Sequence, residues 1–331
     1  MSDNLKFSTE NKIFIRQQWN KPIIKFLSKK INEKLIYIGL PSPEADDIIQ
    51  WIDYIKSVIA FQCRYYGKKS DPSQTREPIL KLDDFLRTLE RQGKIDNYVV
   101  YDGYLEEVVL KGYDNSPNEI AFNADKFITL FNLDFCNGIA SPIEYVDKKG
   151  NVQRIFKFNA IQRLLEIQKS LSRMSNKFIF FLTVHCSYDG KELQNFISNP
   201  PNDQIKNYLA QYMKLKGEKK NAGIVRLFVS HNIQTYFIAN SFSYHILPII
   251  KYQGINNTPL LHFAVLGVHS SPAPGGIDNF QSLDEIIKQK FITINGDQFE
   301  NEFILNEEQH IDRIDPIALF TNSKTFNKLW Q

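Results

Sequence analysis

The sequence predicts an α/β fold, a three-layer α/β/α sandwich whose mainly parallel sheet ends in an antiparallel hairpin. Three observations predict it. The apolar run 35–38 breaks at Gly39 and is followed at once by helix-start signals. Strand, helix and strand then recur through residues 35–184 at spacings that suit parallel crossovers. Finally, the turn Asn256-Asn-Thr-Pro259 separates two extended apolar segments, 244–252 and 260–268, that should pair antiparallel.

Each element has its own signal. Ile13, Ile15, Trp19, Ile23, Ile24, Leu27 and Ile31 repeat at roughly helical spacing, interrupted at Pro22, and predict one or two helices before the first strand. After Gly39, Ser42 is placed to cap a helix over about 43–56. Pro43 suits the first position of that helix, and Glu44, Asp46 and Asp47 suit its positive end. Apolar runs at 56–61, 98–101, 127–133 and 178–184 read as further strands, and 108–110 as a short extended piece. Helices are expected over 81–92, 159–175 and 202–216, with a turn at 147–153. Residues 224–229 and 235–239 look extended, and 283–290 and 315–330 helical. The domain reading is a main α/β unit over residues 1–276 and a C-terminal appendage over 277–331, divided at the Pro/Gly-rich stretch 270–276.

Composition narrows the function classes. Hydrophobic residues make up 43% of the 331-residue chain, enough for a sizeable core and unlike a disordered protein. A formal charge of +3 argues neither for nor against an anionic partner. Cys63, Cys136 and Cys186 are too scattered for a disulfide framework or a structural zinc site, which suits a reducing compartment. The first ten residues lack the apolar core of a secretion signal, and no segment offers about 18 uncharged apolar residues. A cytoplasmic protein outside the membrane is expected. His231, His245, His262 and His269 show no metal-ligand spacing, so no metal is expected, and no phosphate-binding Gly-x4-Gly-Lys-Ser/Thr loop occurs.

The polar residues of interest sit where strands end. Gly39-Leu-Pro-Ser-Pro-Glu44 follows the first strand, Gln62 the second, and Asp102-Gly103 the third. Asn132-Leu-Asp-Phe-Cys-Asn-Gly138 follows the fourth, and His185-Cys186 the fifth. Each has an ordinary structural reading as well: a sharp turn at Gly39, a strand-end amide at Gln62, an Asp-Gly turn at Asp102, and loop capping by Asp134. Glu106 and Glu107 read as a solvated pair, and the basic stretch 214–220 as a solvated turn.

With these segments in this order, residues 11–269 resemble a class I S-adenosylmethionine-dependent methyltransferase, a Rossmann-like family whose mainly parallel sheet ends in an antiparallel hairpin. The resemblance implies S-adenosylmethionine as cofactor. It places Gly39, Ser42, Gln62 and Asp102 around that cofactor, with the turn at Gly39 admitting it to the backbone, Gln62 bonding its hydroxyls and Asp102 its adenine amino group. It makes Asp134 the catalytic residue that orients or accepts a proton from the acceptor, beside Phe135 and Asn137 as acceptor-binding residues. The acceptor is open among a nucleic-acid base, a protein and a small molecule. The turn carries one glycine rather than a glycine-rich series, and the Pro-Pro segment common in amino-methyltransferases after the fourth strand is absent. These departures define the alternative: a methyltransferase-like subunit without transfer, serving binding or assembly with a nucleic-acid or protein partner, for example in a bacterial defence or nucleic-acid-processing complex. Oligomeric state is not specified by the sequence.

Overall fold

The computed structural model describes residues 9–63, 76–135, 138–146, 150–173, 176–187, 190–270, 281–302 and 305. The chain opens with α1 (Glu10–Ile15), a π-helical turn (Arg16–Asn20) and α2 (Lys21–Ile31). Then follow β1 (Leu35–Gly39), α3 (Asp46–Trp51), β2 (Ile55–Gln62), α4 (Glu77–Arg91), β3 (Asn97–Asp102), α5 (Leu105–Lys111) and β4 (Leu130–Asp134). A small hairpin, β5 (Ile143–Val146) and β6 (Val152–Ile155), precedes α6 (Lys157–Leu171) and β7 (Lys177–His185). After α7 (Lys191–Ser198), α8 (Asp203–Tyr212) and α9 (Gly217–Ala239) come β8 (Phe242–Ile246), β9 (Ile250–Gln253) and β10 (Pro259–His269). Last are α10 (Leu283–Lys288), β11 (Phe291–Asn295) and β12 (Gln298–Glu302).

Among the described residues the main sheet runs β3-β2-β1-β4-β7-β10-β9-β11-β12, with β8 also paired to β10. The first five strands are parallel, as the recurring strand and helix pattern predicts. Strand β10 lies antiparallel to β7 and to both β8 and β9, so the closing antiparallel arrangement is present, with its partner strand split at 247–249 around Pro248. Side chains alternate across the parallel strands and build two cores. Leu35, Tyr37, Val58, Leu130 and Phe181 meet α1–α4 on one face. Ile36, Ile38, Phe61, Phe131 and Phe180 meet α5–α10 on the other.

Several local expectations are corrected. Residues 224–229 and 235–239 are helical, within α9, not extended. Every residue from Ala222 to Ser230 is buried, so that stretch has no polar face whose periodicity could reveal a helix. Residues 108–110 likewise belong to α5. The helix after β1 starts at Asp46 rather than at 43, because Ala45 adopts a left-handed backbone conformation (φ 53°) that breaks the turn from the helix. Strand β4 begins at Leu130 rather than 127. Residues 281–302, assigned by sequence to an appendage, add α10 and the hairpin β11–β12 to the same core and sheet, with β11 parallel to β9. The boundary at 276 and the helix expected over 315–330 lie outside the described residues. Among the described residues no helix is long and apolar enough to cross a membrane.

Candidate functional site

Strand register gathers the strand-end residues. Gly39 pairs with Ala60 of β2 and with Asn132 of β4, and Gln62 pairs with Asp102 of β3. Because residues two apart share a face, Gly39, Gln62, Asp102 and Asp134 all project to the side covered by α1–α4, at the carboxyl ends of four adjacent parallel strands. From β1 the chain crosses to β2 on one side, and from β3 it returns to place β4 on the other. The β1/β4 junction is therefore a topological switch point, where open α/β sheets form their ligand crevice.

At that junction Gly39 is tightly enclosed. A Cβ there would lie 2.5 Å from both Asn132 O and the Tyr37 hydroxyl. The Tyr37 hydroxyl donates to Asp47 Oδ2 at 2.6 Å, and Asn132 Nδ2 donates to the same oxygen at 2.6 Å. Burial, then the Asp47 carboxylate, hold the Tyr37 phenol well above its ordinary range, so it stays a donor. Glycine at 39 therefore serves the close packing of β1 against β4. Ser42 Oγ accepts weakly from the Asp46 amide at 3.5 Å and so still touches the start of α3.

Gln62 donates from Nε2 to Pro41 O at 3.4 Å, which ties the end of β2 to the turn after β1. Asp102 is buried, its Oδ2 lies 3.6 Å from Arg76 Nε, and its amide donates to Asp114 Oδ2. The Asp102-Gly103 turn is real as well: Gly103 has φ 146°, and its amide donates to Gln62 O. The backbone at Asp102 thus turns the chain, while its carboxylate faces the Arg76 guanidinium.

Asp134 accepts from Lys12 Nζ of α1 at 2.7 Å. Burial works to raise its carboxyl, but Lys12, then Arg16 and His262, outweigh that and hold it below the usual carboxylate range. It begins a polar row across the sheet. Asp134 pairs with Thr183 in register, and Thr183 Oγ1 lies 2.9 Å from His262 Nδ1, whose Nε2 meets Asn20 Oδ1 at 2.9 Å. Burial pushes His262 down to about 4, so the imidazole is neutral near pH 7. The π-helical turn supplies this contact, burying Arg16, Trp19 and Asn20 toward the sheet, while Trp51 Nε1 caps Arg16 O. Phe135 is buried on the opposite face, with Lys157 Nζ 5.6 Å from its ring centroid, and Asn137 lies outside the described residues.

The structure adds residues that no motif announced. Lys157, at the start of α6, donates to Ser141 O and stands 3.7 Å from Glu106, with both side chains almost fully buried. Burial raises Glu106 against the opposing pull of Lys157, so Glu106 and Glu107 are not a solvated pair. Burial pushes Glu192 of α7 up to about 7, again against Lys157. His185 is lowered by burial, then by Lys12, with Asp134 opposing. Cys186 is pushed up to about 12 by burial, so its thiol is no nucleophile at neutral pH. Among the described residues no three His, Cys, Asp or Glu side chains group as a metal site requires.

Residues 11–234 match the PP_RS20740-like family, a stretch covering the five parallel strands of the sheet and the residues at their carboxyl ends. The chain belongs to the PP_RS20740-like family. No curated protein matches it. Similar solved structures include a putative hemolysin from Streptococcus thermophilus, at 9% identity over 87% of this chain and 75% of that one, TM-score 0.40. A putative methyltransferase from Streptococcus mutans in complex with SAH is 14% identical over 75% of this chain and 96% of that one, TM-score 0.32. An rRNA methylase from Streptococcus thermophilus is 11% identical over 76% and 95%, TM-score 0.31. At these TM-scores the likenesses carry no weight for function. The Rossmann-like α/β fold of this PP_RS20740-like chain stands on its own strand order: five parallel strands closed by an antiparallel β10 that inserts between β7 and β9.

Proposed function

We propose that this methyltransferase-like protein binds S-adenosylmethionine at the carboxyl ends of β1–β4 and transfers its methyl group. The observation that carries the reading is the switch point between β1 and β4, with Gly39, Gln62, Asp102 and Asp134 on one face beside it. The acceptor set suits the cofactor chemically: ribose hydroxyls and an adenine amino group donate, and the Gln62 amide oxygen and the Asp102 carboxylate are acceptors at this end of the sheet. Ser42 adds a hydroxyl at the same turn. Bound S-adenosylmethionine supplies an electrophilic methyl group.

The chain's own task is to hold the acceptor and manage its proton. Asp134, kept ionised by Lys12, orients an acceptor N–H or O–H, and His185, kept neutral by burial, is a second proton acceptor at the same end of the sheet. A nucleic-acid base, a protein or a small molecule all remain acceptor classes for this reading.

A second reading, a binding or assembly subunit without transfer, is favoured by one pair of observations. Lys12 already occupies the Asp134 carboxylate, and Tyr37 with Asn132 fills the space beside Gly39. Such a subunit would serve a nucleic-acid or protein partner. Calorimetric titration with S-adenosylmethionine and with its demethylated product tests both readings. The first expects both compounds to bind, with Asp102→Ala weakening them; absence of heat with either at millimolar concentration rejects it and leaves the second.

A further inference from the structure

On the sheet face opposite the Lys12–Asp134 pair, α8, α9 and α10 border an open cavity of about 640 Å³, within the usual size range of small-molecule sites. Arg226 of α9 lines it and is 2% exposed. Its Nη1–H donates to Gln289 O at 2.9 Å and its Nη2–H to the Tyr212 hydroxyl at 2.7 Å, while its guanidinium carbon stands 4.3 Å from the Phe291 ring centroid. Among the described residues it forms no ion pair, and its buried Nε–H has no acceptor. The lining Gln289 also has a buried amide oxygen without a donor.

A buried guanidinium that no carboxylate neutralises is costly to keep, and a neutral side chain of the same volume would pack there more favourably. The acid in the wall does not offset it. Asp284 accepts from Lys288 Nζ at 2.5 Å and from the Tyr208 hydroxyl, so its charge is already matched by Lys288. One positive charge is left over, on the side chain whose planar fork is suited to carboxylate and phosphate oxygens. Around it Gln204, Asn207 and Gln211 present amides, groups that can both give and accept hydrogen bonds with a polar ligand.

We propose that this cavity is a binding site for a small polar molecule carrying one oxyanion group, carboxylate or phosphate, held by Arg226. The site lies on different helices from the strand-end cluster and does not depend on the methyl-transfer reading.

The test uses the full chain and two probes, inorganic phosphate and malonate, titrated against sodium chloride of equal ionic strength. Thermal midpoint and the Nε–H resonance of Arg226 are both followed. A midpoint rise and a moved Arg226 signal with phosphate alone identify a phosphate-bearing ligand, and with malonate alone a carboxylate. A response to both supports the shared oxyanion chemistry. Arg226→Met should weaken the responding anion about tenfold or more, the loss of a charge-assisted pair. Asn207→Trp, at an exposed wall position, should block the cavity with Arg226 intact, and it decides the matter if Arg226→Met does not fold. Silence of the wild-type protein toward both anions overturns the proposal, as does an undiminished response in Asn207→Trp.

Discussion

Lys12 Nζ meets Asp134 Oδ2 at 2.7 Å, joining the first helix to the end of the fourth strand across 122 residues of sequence. The pair makes α1 part of the candidate site. Asp134 has a lowered folded-state pKa, so its stabilisation is present above the unfolded carboxyl value of about 4 and is lost as pH falls through the lower folded value. Lys12→Met should cost about 1 kcal/mol at neutral pH, since both side chains keep some solvent contact. The deficit should shrink in acid. Urea unfolding of both forms from neutral to strongly acidic pH measures it, and a deficit independent of pH would detach Lys12 from the Asp134 titration.

Asp134→Asn keeps the shape of the side chain and removes its charge. If Asp134 orients or deprotonates the acceptor, single-turnover methyl transfer should fall by about 100-fold while cofactor binding persists. Equal transfer at equal thermal stability would remove Asp134 from the chemistry. Loss of folding together with activity would assign it a structural role with Lys12.

Gly39→Ala places a methyl group 2.5 Å from Asn132 O, a backbone atom that cannot rotate away. The expected cost is about 2–3 kcal/mol, the upper part of the overpacking range. Adding Tyr37→Phe should not restore stability, because the Asn132 carbonyl stays in place and Asp47 loses a donor. A double-mutant cycle by chemical denaturation checks this, and a neutral Gly39→Ala would show that β1 and β4 can separate at the switch point.

Glu192 has a folded-state pKa raised from 4.5 to about 7. A raised carboxyl contributes most below its unfolded value, and that stability is lost as pH climbs through the folded value. Glu192→Gln should therefore gain on the wild type between about pH 4.5 and about pH 7. The gain should be on the order of 1–2 kcal/mol, since solvent screens a side chain that is only partly covered. Thermal midpoints of both proteins across that window are the measurement, with parallel curves as the contrary result.

The strands at 35–39, 55–62, 130–134 and 177–185 were legible in the sequence because a strand largely buried on both faces must be mostly apolar, and few other short segments are; the edge strand 97–102 showed as a short Val- and Tyr-rich run. The same property concealed α9. Its stretch from Ala222 to Ser230 is buried on every side, and a helix without a wet face looks in sequence like another interior strand. Residues 281–302 offered no sign that they would join the sheet, since pairing of β11 with β9 depends on a partner edge and on no local pattern.

The candidate site divides in the same way. Gly39, Gln62, Asp102 and Asp134 were visible from sequence as polar or small residues ending apolar runs, and strand alternation with parallel register was enough to set them on one face. Lys12, Lys157, Glu106, Glu192 and Arg226 were not. Their significance lies in desolvation and in which opposite charge stands within a few ångströms, and both depend on how helices distant in sequence pack over the sheet. Local pattern specifies which segments must leave water, whereas a charge acquires its chemistry from neighbours that only the assembled layers bring to it.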